Sequence, residues 1–166
     1  MHDSLTGLAN YSAAIEHLDA RLADAETQRA FGGFAVIQLG LDEFKSINDE
    51  MDPEAVDEVL KIVSQRATKS LRDSDFIARL GEAEFMIVVP QISDRETAAV
   101  VAEKLIKFIA KPYPIKAGEA HVSISIGVSF FPQNGEDRET LMKCADIAMH
   151  VAKHAGRNQS CFYEQD

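Results

Sequence analysis

The side chains in this sequence that could do chemistry gather in a few short stretches. Asp42-Glu43-Phe44-Lys45-Ser46-Ile47-Asn48-Asp49, followed by Asp57, mixes carboxylates with an amide and a cation. Arg72-Asp73-Ser74-Asp75 sets an arginine three residues ahead of a carboxylate, and Gly81-Glu82-Ala83-Glu84-Phe85 places two carboxylates in a tight connection. Lys153 and Arg157 follow much later. Ionised carboxylates accept charge-assisted hydrogen bonds or hold a hard divalent cation, and Lys and Arg hold phosphates. Taken singly, each of these residues reads as solvated surface. Arg72 and Asp75 read as a surface ion pair worth little.

Several chemistries are excluded at once. Neither a Gly-x-Gly-x-x-Gly segment nor a Walker-type loop occurs, so the usual nucleotide fingerprints are absent. Cys144 and Cys161 lack metal-ligand spacing and make no disulfide framework, which fits a reducing cytoplasm. The formal net charge of −10 argues against a surface that coats nucleic acid, because duplex binding takes many Lys and Arg to displace counterions. It leaves room for an anionic small molecule held by a few cations in one cleft. With 46% hydrophobic and 27% charged residues, a chain of 166 can bury one globular core without staples. No apolar run approaches the roughly 20 residues of a membrane helix. Met1-His2-Asp3-Ser4 leads straight into polar turn chemistry rather than a signal peptide. The expectation is a cytoplasmic domain with no membrane insertion of its own.

The elements that must position these residues follow from periodicity. Leu5 to Asn10 reads as a turn that opens a helix from about Tyr11 to Ala30, with Ala14, Ile15, Leu18, Leu22 and Ala25 on one face, stopped by Gly32-Gly33. Phe34 to Leu39 is an apolar strand that runs out at Gly40. A short helix over Asp42 to Met51 breaks at Asp52-Pro53, and Pro53 suits the start of the next helix, which carries Val56, Val59, Leu60, Val63 and Ala67. Phe76 to Leu80 and Phe85 to Val89 have hairpin spacing. Ser93-Asp94-Arg95-Glu96 offers capping chemistry for a helix through Ala110. Ala120 to Phe131 alternates as a strand, Asp137 opens a last helix, Gly156 ends it, and Ser160 to Tyr163 closes as an edge strand. Helices alternating with strands, one adjacent pair forming a hairpin, favour a mixed sheet in an α+β sandwich over a purely parallel sheet.

Five segments, in order and at matching spacing, resemble the GGDEF (diguanylate cyclase) family. They are Asp3 to Asn10, with Tyr11 where an Arg is usual; Asp42 to Asp49 with Asp57; Ala78-Arg79-Leu80 with Gly81 to Phe85; Ser123 to Val128; and Ala145-Asp146 through Ala152 to Asn158. The resemblance implies a five-stranded sheet surrounded by helices, related to the palm of nucleotidyl cyclases and polymerases. It also implies an activity, the joining of two GTP molecules into cyclic di-GMP by two facing domains. That chemistry takes metal-bound carboxylates to neutralise the triphosphate and activate a ribose hydroxyl.

Carried over residue by residue, the resemblance divides the site. Asn48 and Asp57 match the guanine-recognising pair, and Lys45, Lys153 and Arg157 match positions that meet phosphates. The metal positions do not match: the first acidic ligand falls on Gly40 and the second, also the base, on Ala83. The second signature glycine is Glu82, and the usual His is Pro53. A glycine is wanted in that turn for its tolerance of positive φ. Gly81, Glu84 and Phe85 complete the signature. Asp42 and Glu84 are the weak remaining metal candidates, and one carboxylate makes a poor Mg²⁺ cage. No intact catalytic residue and no cofactor are expected, with Mg²⁺ entering only alongside residual GTP binding or activity. Arg72 and Asp75 fall where the family carries an inhibitory cyclic di-GMP site.

The expected role is a regulatory domain that binds GTP or cyclic di-GMP. The alternatives are an active cyclase with an atypical metal site and a scaffold independent of nucleotide. The segment from Ala145 to Tyr163 resembles the junction to an EAL phosphodiesterase domain, and Met1-His2-Asp3 the point where a sensor helix joins. The sequence therefore reads as one domain, residues 1–166, excised from a larger regulator. Its expected partners are those neighbours and a second copy of the domain. His150, where the family has Tyr, reads as a helix surface residue.

Overall fold

A computed structural model describes residues 1–27, 33–92 and 94–164. Its sheet grows outward from β1 (Phe34–Leu41), an apolar run buried at every residue. A strand buried on both faces must sit in the middle of a covered sheet. β1 pairs antiparallel with β3 (Glu84–Pro90) on one side and with β6 (Ile124–Phe131) on the other. β2 (Phe76–Arg79) folds back on β3, and β7 (Ser160–Phe162) lies parallel to β6. The order is β2-β3-β1-β6-β7, the five-stranded mixed sheet expected from the sequence.

Helices cover both faces of that sheet. Ala35, Ile37, Leu39 and Leu41 of β1 share a core with Val59 and Val63 of α3 (Pro53–Lys69) and with Ala102 and Leu105 of α4 (Arg95–Ile109). Phe34 and Val36 share a second core with Ala14, Leu18 and Leu22 of α1 (Tyr11–Thr27) and with Leu141 and Ala145 of α5 (Arg138–His154). The period-two alternation of β1 thus feeds both layers of the sandwich. Each fully buried Leu, Ile or Phe contributes about 1.5–3 kcal/mol.

Short polar side chains set the helix starts. Asp52 accepts from the Ala55 amide (2.8 Å), Asp94 from Thr97 (2.9 Å), Asp137 from Thr140 (2.7 Å) and Asn10 from Ala13 (3.0 Å). Such caps are typically worth about 1 kcal/mol each. Ser93, Ala30 and Gly32, to which the sequence assigned a cap and a helix end, lie outside the described residues, as does the side chain of Ala25.

Three expectations are corrected. β1 does not run out at Gly40: that residue pairs with Glu84 on one side and Ser125 on the other, so the strand extends to Leu41. The first short helix, α2 (Phe44–Glu50), starts only after an Asp42-Glu43 turn in which Glu43 has φ 55°. Ala120 to Phe131 is not one strand. Ala120 ends a separate two-stranded hairpin of β4 (Tyr113–Ile115) and β5 (Gly118–Ala120), and β6 begins at Ile124.

One glycine fixes how α5 lies on the sheet. A Cβ on Gly127 of β6 would stand 2.1 Å from the Ala145 carbonyl oxygen and 2.2 Å from the Met149 nitrogen. Only glycine permits so close an approach of helix backbone to strand. That contact carries Met149 and, one turn later, Lys153 over the end of β1.

Candidate functional site

A cleft of about 340 Å³ opens at the end of β1. It is lined by Gly40 and Leu41, Phe44 of α2, the turn from Gly81 to Glu84 and Lys153 of α5. It holds the signature turn and the Gly40 position together, as the resemblance requires. Its interior differs from a metal cage. A Cβ on Gly40 would lie 2.8 Å from the Met149 sulfur, inside contact distance, and 3.5 Å from Lys153 Nζ, an ordinary contact, so the Met149 side chain stands where a side chain at this position would project and Lys153 lies beside it. Ala83 is buried in the core shared with Leu39, Leu41 and Phe85, and its carbonyl accepts from the Leu41 amide (3.1 Å). Glu84 sits directly across from Gly40 and accepts from the Gln38 amide at 3.4 Å.

Asp42 is buried and its oxygens are already taken. Ser125 Oγ donates to Oδ1 and Ser123 Oγ to Oδ2, each at 2.5 Å, and the Asn158 amide donates to Oδ2 at 3.0 Å. Lys153 Nζ lies 3.5 Å from Oδ1 and donates to the Leu41 carbonyl at 3.0 Å. Among the described residues no three His, Cys, Asp or Glu side chains gather to hold a metal ion. The positions that the resemblance makes metal ligands, Gly40 and Ala83, supply no carboxylate. Glu82 and Glu84 line the cleft from one exposed turn, Asp42 behind it is saturated, and the Lys153 ammonium occupies the Leu41 carbonyl, which makes a poor divalent-cation cage.

The other residues singled out by sequence lie around the cleft rather than in it. Lys45 and Asn48 are exposed on α2, and Asp57 is exposed on the neighbouring α3. Arg157 follows α5 with φ 63° and pairs with Glu43 at 3.5 Å. Pro53 is the first residue of α3. Arg72 and Asp75 form a local turn, the Arg72 amide donating to Asp75 Oδ2 at 2.8 Å while Asp75 Oδ1 is buried without a hydrogen-bond partner. His150 is exposed on α5, 3.6 Å from Asp146. Neither Gly81 nor Glu82 has positive φ, so the turn built by this sequence accommodates Glu82 without the backbone conformation that demands glycine.

Three contributors carry no sequence signal of their role. Gln38, a buried polar residue, reaches Glu84, and Met149, a buried apolar one, reaches Gly40, each far away in sequence. Arg79 holds the turn: its guanidinium donates to the carbonyls of Gly81 (3.1 Å) and Glu82 (2.7 Å) and forks onto Asp3 at 3.1 and 3.2 Å. Burial pushes the Asp3 carboxyl up, but hydrogen bonds from the Thr6 hydroxyl and amide and from Arg79 outweigh it, so its pKa is lowered. That contribution to stability is complete above the ordinary carboxylate pKa and is lost as pH falls through the lowered value. Arg79→Ala is expected to destabilise by about 1–3 kcal/mol and to speed amide exchange in the turn, read by thermal melting and hydrogen exchange. Arg79→Lys recovers little, because an ammonium cannot reproduce the fork.

Comparison with known proteins agrees with this geometry. The family model described as "Diguanylate cyclase, GGDEF domain" matches residues 1–159. The chain is 41% identical over 166 residues to MucR of Pseudomonas aeruginosa, a bifunctional diguanylate cyclase and cyclic di-GMP phosphodiesterase; the match covers 99% of this chain and 24% of MucR. This chain thus spans about a quarter of that relative's length. The solved GGDEF domain of TpbB from Pseudomonas aeruginosa superposes with a TM-score of 0.93 at 32% identity, covering 99% of this chain and 95% of that one. The GGDEF domain of DgcB from Caulobacter crescentus, solved in complex with cyclic di-GMP, gives 0.89 at 25% identity, covering 99% and 93%. On its fold, its cleft and these matches, the chain belongs to the GGDEF family of diguanylate cyclase domains.

Proposed function

We propose that this chain is a regulatory module of cyclic di-GMP signalling that holds a guanine nucleotide without joining two of them, and that an adjoining domain responds to its ligand state. The observation that carries this reading is the filled space over Gly40. Met149 stands where a metal carboxylate would project, with Lys153 in contact beside it, while Asn48 and Asp57 remain exposed on α2 and α3. Cyclisation requires metal-stabilised phosphoryl transfer, whereas guanine recognition requires only the amide and carboxylate. Incubation with GTP and Mg²⁺ or Mn²⁺ is expected to yield no cyclic di-GMP over time; its accumulation would overturn the reading. Asp57→Ala is expected to weaken GTP binding in Mg²⁺ by about tenfold, the loss of one charge-assisted contact.

A second ligand position is favoured by Asp75, whose Oδ1 is buried without a partner beside the exposed Arg72. An orphaned buried carboxylate oxygen is costly unless a donor arrives, and a guanine edge supplies one. The DgcB domain's complex with cyclic di-GMP supports that ligand here. Calorimetry with cyclic di-GMP up to about 100 μM is expected to show binding; none, with a folded sample, removes this site. Binding steers a neighbour only through a difference in affinity between the neighbour's two states. The bifunctional MucR supports an EAL phosphodiesterase domain as that neighbour.

A further inference from the structure

Outside the cleft, metal-ligating side chains line up on the solvent face of α5. Asp146, His150 and His154 follow one another at four-residue steps. On a helix such steps set side chains one above another on a single face. The opposite face of α5, with Ala145, Ala148, Met149 and Ala152, is the one packed into the protein. His150 Nε2 lies 3.6 Å from Asp146 Oδ1, with 55% and 46% of the two side chains exposed. That separation is too long for a hydrogen bond. It is close to the spacing of about 3.4 Å between two ligand atoms held roughly 2.0–2.2 Å from one tetrahedral ion.

His154 is the last residue of the helix and is exposed. As the side chains stand, the three do not yet enclose an ion. No hydrogen bond or ion pair among the described residues holds His154, so a rotamer change alone brings its imidazole back over His150. The backbone beneath it is set: the Ala155 amide donates to the Val151 carbonyl at 2.9 Å and the Arg157 amide to Ala152 at 3.1 Å. The neighbouring cations are engaged elsewhere, Lys153 with Leu41 and Asp42 and Arg157 with Glu43. An ion over the two imidazoles would sit at the C-terminal end of α5, where the helix dipole favours positive charge.

We propose that Asp146, His150 and His154 bind one divalent transition-metal ion of the zinc class on the surface of α5. Two imidazoles and a carboxylate suit such a borderline cation, whereas Mg²⁺ takes oxygen ligands. Three protein ligands leave a coordination position for water. The site is separate from the cleft and independent of the nucleotide reading.

Calorimetric titration of the untagged chain with ZnCl₂ in a buffer that does not chelate the ion tests this. One Zn²⁺ per chain is expected, with a dissociation constant of about 10 μM or tighter, and excess Mg²⁺ should change it by less than about threefold. His150→Ala and His154→Ala are each expected to weaken binding by about tenfold or more, and Asp146→Asn by less. In NMR spectra the imidazole signals of His150 and His154 should move on Zn²⁺ addition while those of His17 and His121 stay. Absence of saturable binding up to about 1 mM overturns the proposal. So does unchanged affinity in a folded His150→Ala/His154→Ala protein, or competition by Mg²⁺. Movement of His17 or His121 with His150 and His154 still also overturns it, and that measurement needs no variant to fold.

Discussion

Asp42→Ala is expected to cost about 3–5 kcal/mol, the penalty for removing one partner of a buried charged pair. The carboxylate ties β1 to β6 through Ser123 and Ser125, to the turn before β7 through the Asn158 amide, and to α5 through Lys153. Its loss removes the acceptor of two short hydroxyl hydrogen bonds and leaves Lys153 with the Leu41 carbonyl but without a counter-charge. Chemical denaturation should show a lower midpoint at an unchanged denaturant slope. Asp42→Asn keeps an acceptor but not the charge, and should fall between. If Asp42→Ala leaves the midpoint within about 0.5 kcal/mol of the parent, the range of an ordinary surface substitution, the structural role assigned to Asp42 is wrong.

Gly127→Ala is the second large effect. The added methyl would press on two backbone atoms of α5 at 2.1 and 2.2 Å, and backbone cannot rotate aside as a side chain can. Overpacking of this kind costs typically 1–3 kcal/mol, and the rigid obstacle puts this case at about 3 kcal/mol, or roughly 6–12 °C in melting temperature for a chain of this size. Because α5 carries Met149 and Lys153, its displacement should also weaken nucleotide binding in the folded fraction. Gly81→Ala serves as the contrast. It has open space and ordinary φ, and should be near neutral in thermal melting although it lies in the signature turn.

The difference between these two glycines shows what the sequence could and could not reveal. The sheet's centre was legible because Phe34 to Leu39 is an apolar run too long and too bare of turn residues to be anything but a buried strand. Asp94 and Asp137 announced their helices through spacing to a first-turn amide, and β2 and β3 through the length of their connection. Those signals are local. The β4–β5 hairpin was missed because two three-residue strands leave no periodicity to count, and Pro114 lies inside one of them. The seat of α5 at Gly127, the sulfur of Met149 over Gly40 and the four partners of Asp42 all join residues far apart in sequence, where spacing carries no message. So the sequence puts Gly40 and Ala83 where the resemblance implies acids, and the fold sets the Met149 thioether over Gly40, with the Lys153 ammonium beside it, and buries Ala83 in the core. Asp42, a weak metal candidate by position, is a buried tie from the end of β1 to Ser123, Ser125, the Asn158 amide and Lys153.

The parallel pairing of β7 with β6 gives the domain two poles. Ser160 pairs with Ile126 close to the cleft, Phe162 lies farther along beside Val128, and Glu164 meets Arg95 at the start of α4, near where β3 leaves the sheet. The opening turn instead is fastened at the cleft pole, through Asp3 and Arg79. A segment joined ahead of Met1 would therefore stand beside the signature turn, while one joined beyond Glu164 would start from the opposite pole. Between these poles α5 lies along the sheet, touching β1, β6 and β7 and reaching the cleft through Lys153.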